Sequence, residues 1–384
     1  MKGFCFMKPN IVFIICDELR ADFFSFLGHK NADTPYIDKL KSDSVYFPNT
    51  YCSSPMCVPS RASLATARHT ISHGAYDNGL KPLRDEKSLY DSFRQLGYYT
   101  FSTGKWHTGR TPQEWGLDEN ITQVKTPHNS VTPFGITNKE VRLGAKLKAN
   151  EGLIPLVIHG EHSLAEEEIK DTIYTRELQK KIAELKPNSP QFLRISYFDP
   201  HSPYIPSKEY MGKFPLDELE LPKTNKPDFS NKPLIQEFFY RARGYHHLTE
   251  EDYRSSKSCY LSLIKHNDDR IGEIIASLKE KGIYEESLIV FTSDHGSMMG
   301  EHGYVEKWGH MYEQVARIPL LIKFPGNEFA GREVSDFVEN VDLFPTLLDY
   351  IKNVCHETGD STKVNSISTA SDKLGDLSEI ISHP

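Results

Sequence analysis

Apolar residues recur along the chain in short runs, with helical patterns between them. Runs of five to seven apolar residues predict buried strands at 11–16, 98–103, 192–198, 288–292 and 319–324. The intervening segments 88–96, 253–281 and 341–350 have helical periodicity. This alternation predicts an α/β fold, in which helices cover both faces of a doubly wound, mostly parallel sheet.

The clearest amphipathic helix is predicted at 260–281, where five apolar residues share one face: Leu261, Ile264, Ile271, Ile275 and Leu278. The polar segment 111–160 and the proline-rich segment 203–232 predict long loops at a pocket mouth. Residues 355–384 are rich in Ser, Thr, Asp and Lys, which predicts a weakly ordered polar tail behind a catalytic domain at 8–354.

Composition narrows the class of partners. The 384 residues are 38% hydrophobic and 26% charged, as in ordinary globular proteins. A net charge of -8 provides no basic field for nucleic acid or an acidic membrane surface. No apolar stretch approaches the roughly 18 residues of a membrane span, and residues 1–7 are too short for a signal peptide. We therefore expect a cytoplasmic protein with no nucleic-acid or membrane partner.

The six cysteines are too sparse for a disulfide scaffold and lack zinc-knuckle spacing. Cys16 lies inside an apolar run and is expected in the core. For Cys52 and Cys57, the alternatives are a local disulfide and a reactive role for one of them.

Titratable residues follow four of the predicted strands. Ligand sites in open α/β sheets form outside the carboxyl ends of the strands, so we expect these residues to meet at one edge. They are Asp17, Glu18, Lys105, His107, Asp199, His201, Asp294 and His295.

The carboxylates in this set predict a divalent-metal site. Asp17 and Asp294 are hard oxygen donors of the kind that calcium and magnesium require, and Glu18 adds a further carboxylate. His295 adds a nitrogen, which suits manganese or zinc better. The alternative for a single aspartate is a helix cap or turn residue.

The segment Cys57-Val58-Pro59-Ser60-Arg61 predicts a helix start with Pro59 at the first helical position. Cys57 would then lie just before a helix N-terminus, which favours an anion and lowers the pKa of a thiol. A structural cysteine is the alternative from the residues alone.

With the following Ala62-Ser63-Leu64-Ala65-Thr66, this segment resembles the activation motif of the type I, formylglycine-dependent sulfatases of the alkaline phosphatase-like superfamily. Other segments resemble the same family in the expected order, so that the resemblance runs from about residue 8 to 352. They are NIVFIICDELRAD at 10–22, TPYIDKL at 34–40, GYYTFSTGKWHTG at 97–109, FTSDHGSMMGEHG at 291–303, RIPLLIKFPG at 317–326 and VDLFPTLLDY at 341–350.

The resemblance implies that a maturation enzyme oxidises Cys57 to formylglycine. The hydrated aldehyde attacks the sulfur of a sulfate ester, and its second hydroxyl then expels sulfate. The implied metal ligands are Asp17, Asp294, His295 and residue 57, with Glu18 as a further ligand. Ca²⁺ is the expected ion, and Mn²⁺, Mg²⁺ and Zn²⁺ are alternatives.

The resemblance also implies roles for cationic and histidine side chains. Arg61 would fix the formylglycine, and Lys105 and Lys307 would bind the sulfate oxygens. His107 would hydrogen-bond the diol, and His201 would be the general acid toward the leaving alcohol.

The chain departs from the family pattern in four places. Many members have an aspartate at the position of Glu18, and arylsulfatases often have an asparagine at that of His295. Ala67 replaces a usual glycine, where we expect a helical turn to be tolerated. Members generally continue into a C-terminal subdomain, which is expected to be short or missing here.

Two other functions compete with a sulfatase. One is a phosphonate monoester or phosphodiester hydrolase with the same nucleophile, and the other is a catalytically silent binding protein. The substrate is expected to be a small-molecule or carbohydrate sulfate ester. Loops 111–160 and 203–250 would contact its alcohol portion, with Tyr204, Tyr240, Arg241, Arg243, His246 and His247 as contributors and His302 and His310 as weaker candidates.

Overall fold

The structure, a computed structural model, describes residues 8–83, 86–123, 131–132, 135–136, 146–149, 157–161, 165–308 and 310–357. The strands are β1 (Ile11–Cys16), β2 (Val45–Tyr46), β3 (Thr50–Tyr51), β4 (Tyr99–Gly104), β5 (Glu119–Ile121), β6 (Val131–Thr132), β7 (Gly135–Ile136), β8 (Lys146–Ala149), β9 (Val157–Glu161), β10 (Gln191–Tyr197), β11 (Leu288–Ser293), β12 (Met298–Met299), β13 (Val305–Glu306), β14 (Leu320–Lys323) and β15 (Val338–Glu339). The α-helices are α1 (Pro35–Ser42), α2 (Cys57–Thr66), α3 (Thr70–His73), α4 (Leu89–Gln95), α5 (Lys170–Glu184), α6 (Leu234–Ala242), α7 (Glu250–Glu280), α8 (Glu313–Ala316) and α9 (Leu343–Glu357). Short 3-10 helices lie at Ser25–Leu27, Glu166–Glu168, Leu216–Glu218, Tyr245–His247, Glu301–Gly303, Pro325–Asn327 and Asn340–Asp342.

Within the described residues, seven strands form one sheet in the order β2-β14-β11-β1-β10-β4-β5. The strands β11, β1, β10, β4 and β5 run parallel, whereas β14 is antiparallel to both of its neighbours. The predicted α/β fold with a mostly parallel sheet is confirmed. The expected strand at 319–324 forms as β14, in the antiparallel sense.

Alternate residues of β1 enter two different cores. Val12 and Ile14 belong to one apolar cluster, together with residues of α5 and α7. Phe13 and Ile15 belong to the opposite cluster, where α4 and α9 pack. Because side chains alternate along a strand, this division shows helices on both faces of the sheet.

The long helix α7 has strong start signals and a continuous apolar face. The hydroxyl of Thr249 accepts from the amide of Asp252 at 3.2 Å, and the Asp252 carboxylate accepts from the amide of Thr249 at 2.9 Å. This reciprocal pair satisfies two amides that a helix start otherwise leaves unpaired. The five predicted face residues are all buried, so the amphipathic prediction is confirmed.

A close contact fixes the end of β4. A Cβ atom placed on Gly104 would lie 2.1 Å from the carbonyl oxygen of Ser196 on β10, and Gly104 has a φ of +91°. Only glycine fits both conditions. The adjacent Lys105 amide donates to that carbonyl at 2.8 Å, so the chain leaves the sheet at a fixed point.

Some predictions fall outside the described residues. Much of the expected loop at 111–160 and nearly all of the polar tail do so, and the division into a domain at 8–354 and a tail at 355–384 stays a prediction. None of the helices in the described part of the chain combines the length and the apolar content that crossing a bilayer requires. The cytoplasmic location also stays a prediction.

Candidate active site

The carboxyl ends of β11, β1, β10 and β4 bring the predicted residues to one edge of the sheet. These four strands are neighbours and run parallel. The Glu18 amide after β1 donates to Oδ1 of Asp294 after β11 at 3.2 Å. The Lys105 ammonium after β4 contacts Oδ2 of Asp17. The end of β10 joins them through His201, whose Nε2 is 3.7 Å from the Glu18 carboxylate.

Four buried residues form a cluster of metal-ligand type. One ligand atom from each of Asp17, Cys57, Asp294 and His295 lies within 4.8 Å of the others. Cys57 Sγ is 3.3 Å from His295 Nε2 and 3.7 Å from Asp17 Oδ1. His295 Nε2 is 3.8 Å from Asp294 Oδ2.

The chemistry of these donors fits a divalent cation. His295 donates from Nδ1 to the Gly296 carbonyl at 2.9 Å, which leaves the lone pair of Nε2 facing the cluster. Burial lowers the pKa of His295 to about 3, so its imidazole is neutral, as a ligand must be. The pKa of Asp294 is also low, since the nearby cations, Arg61 foremost, outweigh the effect of burial.

Cys57 differs from the sequence prediction in two respects. The helix α2 begins at Cys57 with Met56 as its N-cap, so Pro59 is the third helical residue rather than the first. Burial raises the pKa of the Cys57 thiol to about 11, because the desolvation of a thiolate outweighs the pull of Lys307 and Arg61. The expectation of a lowered thiol pKa was wrong.

A disulfide between Cys52 and Cys57 is also excluded, because both cysteines are free. Cys52 Sγ lies 3.8 Å from the carbonyl of Val315, whereas Cys57 faces the ligand cluster. The disulfide is therefore excluded, and a reactive role for Cys57 stays a prediction.

Arg61 links α2 to two strand ends. Its Nε donates to Asp294 Oδ2 at 2.7 Å, and one terminal nitrogen donates to the Ser196 hydroxyl at 2.8 Å. Its other terminal nitrogen is 3.7 Å from Asp17 Oδ1. The guanidinium therefore offsets the charge of both aspartates.

Lys105 is a second cation beside the cluster. Its ammonium contacts Asp17 Oδ2 and is 3.7 Å from Cys57 Sγ. Burial lowers the pKa of Lys105 to about 7, although Asp294 opposes this shift. A cation at this distance from Sγ can bind an anion that reacts at residue 57.

Glu18, Lys307 and His201 form a second group beside the cluster. The Glu18 carboxylate contacts the Lys307 ammonium and is 3.7 Å from His201 Nε2. The ammonium is also 3.0 Å from His201 Nε2, while His201 Nδ1 donates to the Ser202 carbonyl. Glu18 thus lies outside the four-residue cluster, and its predicted role as a ligand stays a prediction that this geometry does not favour.

His107 lies close to the cationic side of the site. Burial and the charges of Lys105 and Arg61 lower its pKa to about 3, so its ring is neutral. Its φ is +41°, and its Nδ1 is buried without a hydrogen-bond partner among the described residues. That nitrogen is available to a group bound in the site.

Several supporting residues were not predicted from the sequence. Ser196 receives Arg61, and the Tyr260 hydroxyl donates to the Glu18 carbonyl at 2.6 Å. The Glu306 carboxylate accepts from the hydroxyls of Ser202 and Tyr245. The position of Ser196 near the end of β10 was a signal for its role, whereas Tyr245 and Glu306 are distant from each other in sequence and no local pattern pairs them.

The other residues that were predicted to line the pocket lie in several different surroundings. Tyr204 is fully buried and its hydroxyl is 2.9 Å from that of Ser297, so it packs in the core rather than lining a pocket. Arg241 is exposed and pairs with Glu237. Arg243 packs over the ring of Trp308, next to Lys307. Ring contacts join the remaining candidates to neighbouring aromatic rings: Tyr240 to His246, His246 to His247, and both His302 and His310 to Tyr312.

The family model described as Sulfatase matches residues 9–354. The chain belongs to the sulfatase family. This sulfatase is 30% identical to an arylsulfatase of Clostridium perfringens over 367 residues, which are 90% of this chain and 75% of the relative. It is 27% identical to a choline-sulfatase of Rhizobium meliloti, over 89% of this chain and 67% of the relative.

Solved structures share the fold of this sulfatase. The phosphonate monoester hydrolase of Agrobacterium radiobacter matches 90% of this chain and 74% of its own, with a TM-score of 0.73 and 24% identity. The predicted family, fold and enzyme class, a sulfuric ester hydrolase, are confirmed. The family implies a divalent metal and a cysteine-derived formylglycine, whereas the identity of the metal and the roles of single residues stay predictions.

Proposed function

We propose that this sulfatase hydrolyses a sulfate ester at residue 57, with Cys57 converted to formylglycine as the nucleophile. The observation that carries the proposal is the position of Cys57 Sγ. It lies in a buried cluster of two carboxylates and a neutral imidazole, with the Lys105 ammonium 3.7 Å away. A side chain at that point can meet a metal and an anion together.

Asp17, Asp294, His295 and residue 57 would hold the metal. A divalent cation there would polarise a sulfate oxygen and lower the pKa of the attacking hydroxyl. Ca²⁺ was the expected ion, but an imidazole nitrogen among the donors favours Mn²⁺ or Zn²⁺. An aldehyde hydrate at residue 57 supplies the attacking hydroxyl and a second hydroxyl for the release of sulfate.

The chain's own cations bind and orient the ester. Arg61 holds Asp17 and Asp294 in place and offsets negative charge at residue 57. Lys105 and Lys307 bind sulfate oxygens, whose charge grows in the transition state. His107 Nδ1, which has no hydrogen-bond partner among the described residues, accepts a hydrogen bond from a hydroxyl of the diol.

The pair of Lys307 and His201 delivers a proton to the leaving oxygen. Burial and the charges of Lys307 and Lys105 lower the pKa of His201 well below its ordinary value. A bound sulfate ester offsets the charge of those lysines, which favours a proton on Nε2. Since Nδ1 already donates to the Ser202 carbonyl, Nε2 is the nitrogen that can serve the leaving group.

A small-molecule or carbohydrate sulfate ester is the proposed substrate class. Similar curated proteins include the arylsulfatase and choline-sulfatase above and a mouse iduronate 2-sulfatase that is 28% identical over 387 residues. The names of these relatives refer to sulfate esters of different alcohols.

Phosphonate monoester or phosphodiester hydrolysis is the second candidate. The chain is 29% identical over 388 residues to a multifunctional alkaline phosphatase superfamily protein of Trinickia caryophylli. A catalytically silent binding protein is disfavoured by the complete set of Cys57, Arg61, Lys105, His201 and Lys307 at one site.

The test is a peptide mass for residue 57, in protein from a host that can mature it, followed by assays with and without added metal. We expect the mass change of a thiol that becomes an aldehyde, and metal-dependent hydrolysis of an aryl sulfate faster than of an aryl phosphonate. The control is Cys57→Ala. An unmodified cysteine in active wild-type protein would disprove the proposed nucleophile, and faster phosphonate hydrolysis would favour the second candidate.

A further inference from the structure

The loop after β10 carries His201, and residues of two helices, α5 and α7, form hydrogen bonds with it. It runs from Phe198 to Pro203. The Asp171 carboxylate of α5 accepts from the amides of Phe198 and Asp199, both at 2.8 Å. The loop therefore begins from a fixed point two residues before His201.

The second support comes from α7. His266 Nδ1 is 2.9 Å from Asp199 Oδ2, and the amide of the Asn267 side chain donates to the Asp199 carbonyl at 2.7 Å. Both His266 and Asn267 are buried. Two consecutive residues of one helix thus bind the side chain and the backbone of Asp199.

His266 is itself held from its other side. Its Nε2 is 2.7 Å from Glu166 Oε1, which also pairs with Arg270 at 2.6 Å. Burial alone would lower the pKa of His266, but hydrogen bonds to Asp199 and Glu166 outweigh it and raise the pKa to about 10. As a cation, the ring donates from both nitrogens and bridges two carboxylates.

We propose that His266 is a positioning residue, which holds Asp199 so that His201 Nε2 stays 3.0 Å from the Lys307 ammonium. This inference rests on the proposed role of His201 toward the leaving group. His266 does not touch the reacting atoms; it acts through Asp199 and the two residues that follow. Sequence reasoning placed Asp199 at the edge of the sheet but assigned it no role.

The leaving group of the substrate provides the test. An aryl sulfate with an acidic phenol leaves without protonation, whereas an alkyl sulfate needs a proton from the enzyme. Both esters are assayed with matured, metal-loaded wild type, His266→Ala, His201→Ala and the double variant. We expect His266→Ala to lower kcat for the alkyl ester by roughly 10-fold or more, within the range of general acid catalysis, and to change kcat for the aryl ester by less than about 3-fold.

KM should change little for either ester, because Lys105 and Lys307 remain. The double variant should lose no more activity on the alkyl ester than His201→Ala alone, since the two residues act as one unit. Lys265→Met is the matched control on the same helix, because Lys265 pairs with Asp269 at 2.9 Å instead of the loop. It should behave as wild type on both esters.

The outcomes separate this inference from the function it rests on. If His201→Ala is selective for the alkyl ester but His266→Ala slows both esters equally, His266 is only structural and the inference is wrong. If His201→Ala shows no selectivity, the proposed role of His201 is wrong and the inference fails with it. If His266→Ala does not fold, Asn267→Ala must show a smaller loss with the same selectivity; equal effects on both esters would overturn the inference.

Discussion

Arg61 donates from Nε to Oδ2 of Asp294 over 2.7 Å, and neither side chain reaches solvent. A buried ion pair contributes little net stability, but the loss of one partner leaves the other charge uncompensated. Asp294 is also a proposed metal ligand. Arg61 therefore connects the stability of α2 with the state of the metal site.

Replacing Arg61 by methionine should lower the free energy of unfolding of metal-free protein by about 3–5 kcal/mol. Urea unfolding measures this loss, and added metal should restore part of it because a bound cation stabilises the folded state. The control is Arg68→Met, since Arg68 is half-exposed and 3.5 Å from Glu86, and it should cost less than about 1 kcal/mol. Equal losses in the two variants would contradict the argument.

Glu18→Gln should separate ligand binding from anion binding. Because the Glu18 carboxylate contacts Lys307, its neutralisation should leave the lysine charge more available and tighten the binding of inorganic sulfate. Metal affinity, measured by titration calorimetry, should fall by no more than roughly 10- to 100-fold, as for a residue outside the ligand set. Asp17→Asn is the comparison and should abolish metal binding. A comparable loss in Glu18→Gln would make Glu18 a ligand.

Removing the metal with a chelator should abolish aryl sulfate hydrolysis. The activity regained with different added ions should show which donor atoms bind the metal. His295→Asn replaces the nitrogen donor with an amide oxygen. It should weaken Mn²⁺ or Zn²⁺ by roughly 10-fold or more and Ca²⁺ less, since calcium prefers oxygen ligands. A uniform change for all three ions would show that His295 Nε2 does not bind the metal.

Ala67 closes α2 in a conformation that favours glycine. Its φ of 56° and ψ of 32° are left-handed, and the residue is buried. The expected helical turn at this position was wrong. Ala67 adopts a left-handed backbone conformation at a position where the family usually has glycine. Ala67→Gly should raise the free energy of unfolding by about 1 kcal/mol, measured in urea. Ala65→Gly, inside the same helix, should lower it by a similar amount, about 1 kcal/mol.

His266 should make stability depend on pH. Its pKa is raised from 6.5 in the unfolded chain to about 10 in the folded chain. The stability it contributes is therefore full below pH 6.5 and is lost as the pH rises toward 10. The difference in unfolding free energy between wild type and His266→Gln should shrink across that window. A difference that stays constant would show that His266 is not charged.

The sequence predicted the strand ends well because each one follows a short apolar run. Asp17, Lys105, His201 and Asp294 were placed from this pattern alone, and parallel neighbouring strands bring such residues together. The core strands and α7 followed from periodicity in the same way.

What the sequence missed depends on contacts between distant segments. The raised pKa of Cys57 arises from complete burial, which no local motif encodes. The pairing of Glu18 with Lys307 joins residues separated by 289 positions. The support of Asp199 by His266 is of the same kind, since periodicity presents His266 only as one more residue of a long helix.

The burial of Cys57 also bears on when the residue can be oxidised. Cys57 is 1% exposed and is the first residue of α2. If Cys57 is oxidised as proposed, we expect the maturation enzyme to act on the nascent or still unfolded polypeptide, because the folded chain buries the thiol. Protein that has already folded with a thiol at this position should resist later conversion in vitro, and recovering it should require unfolding first.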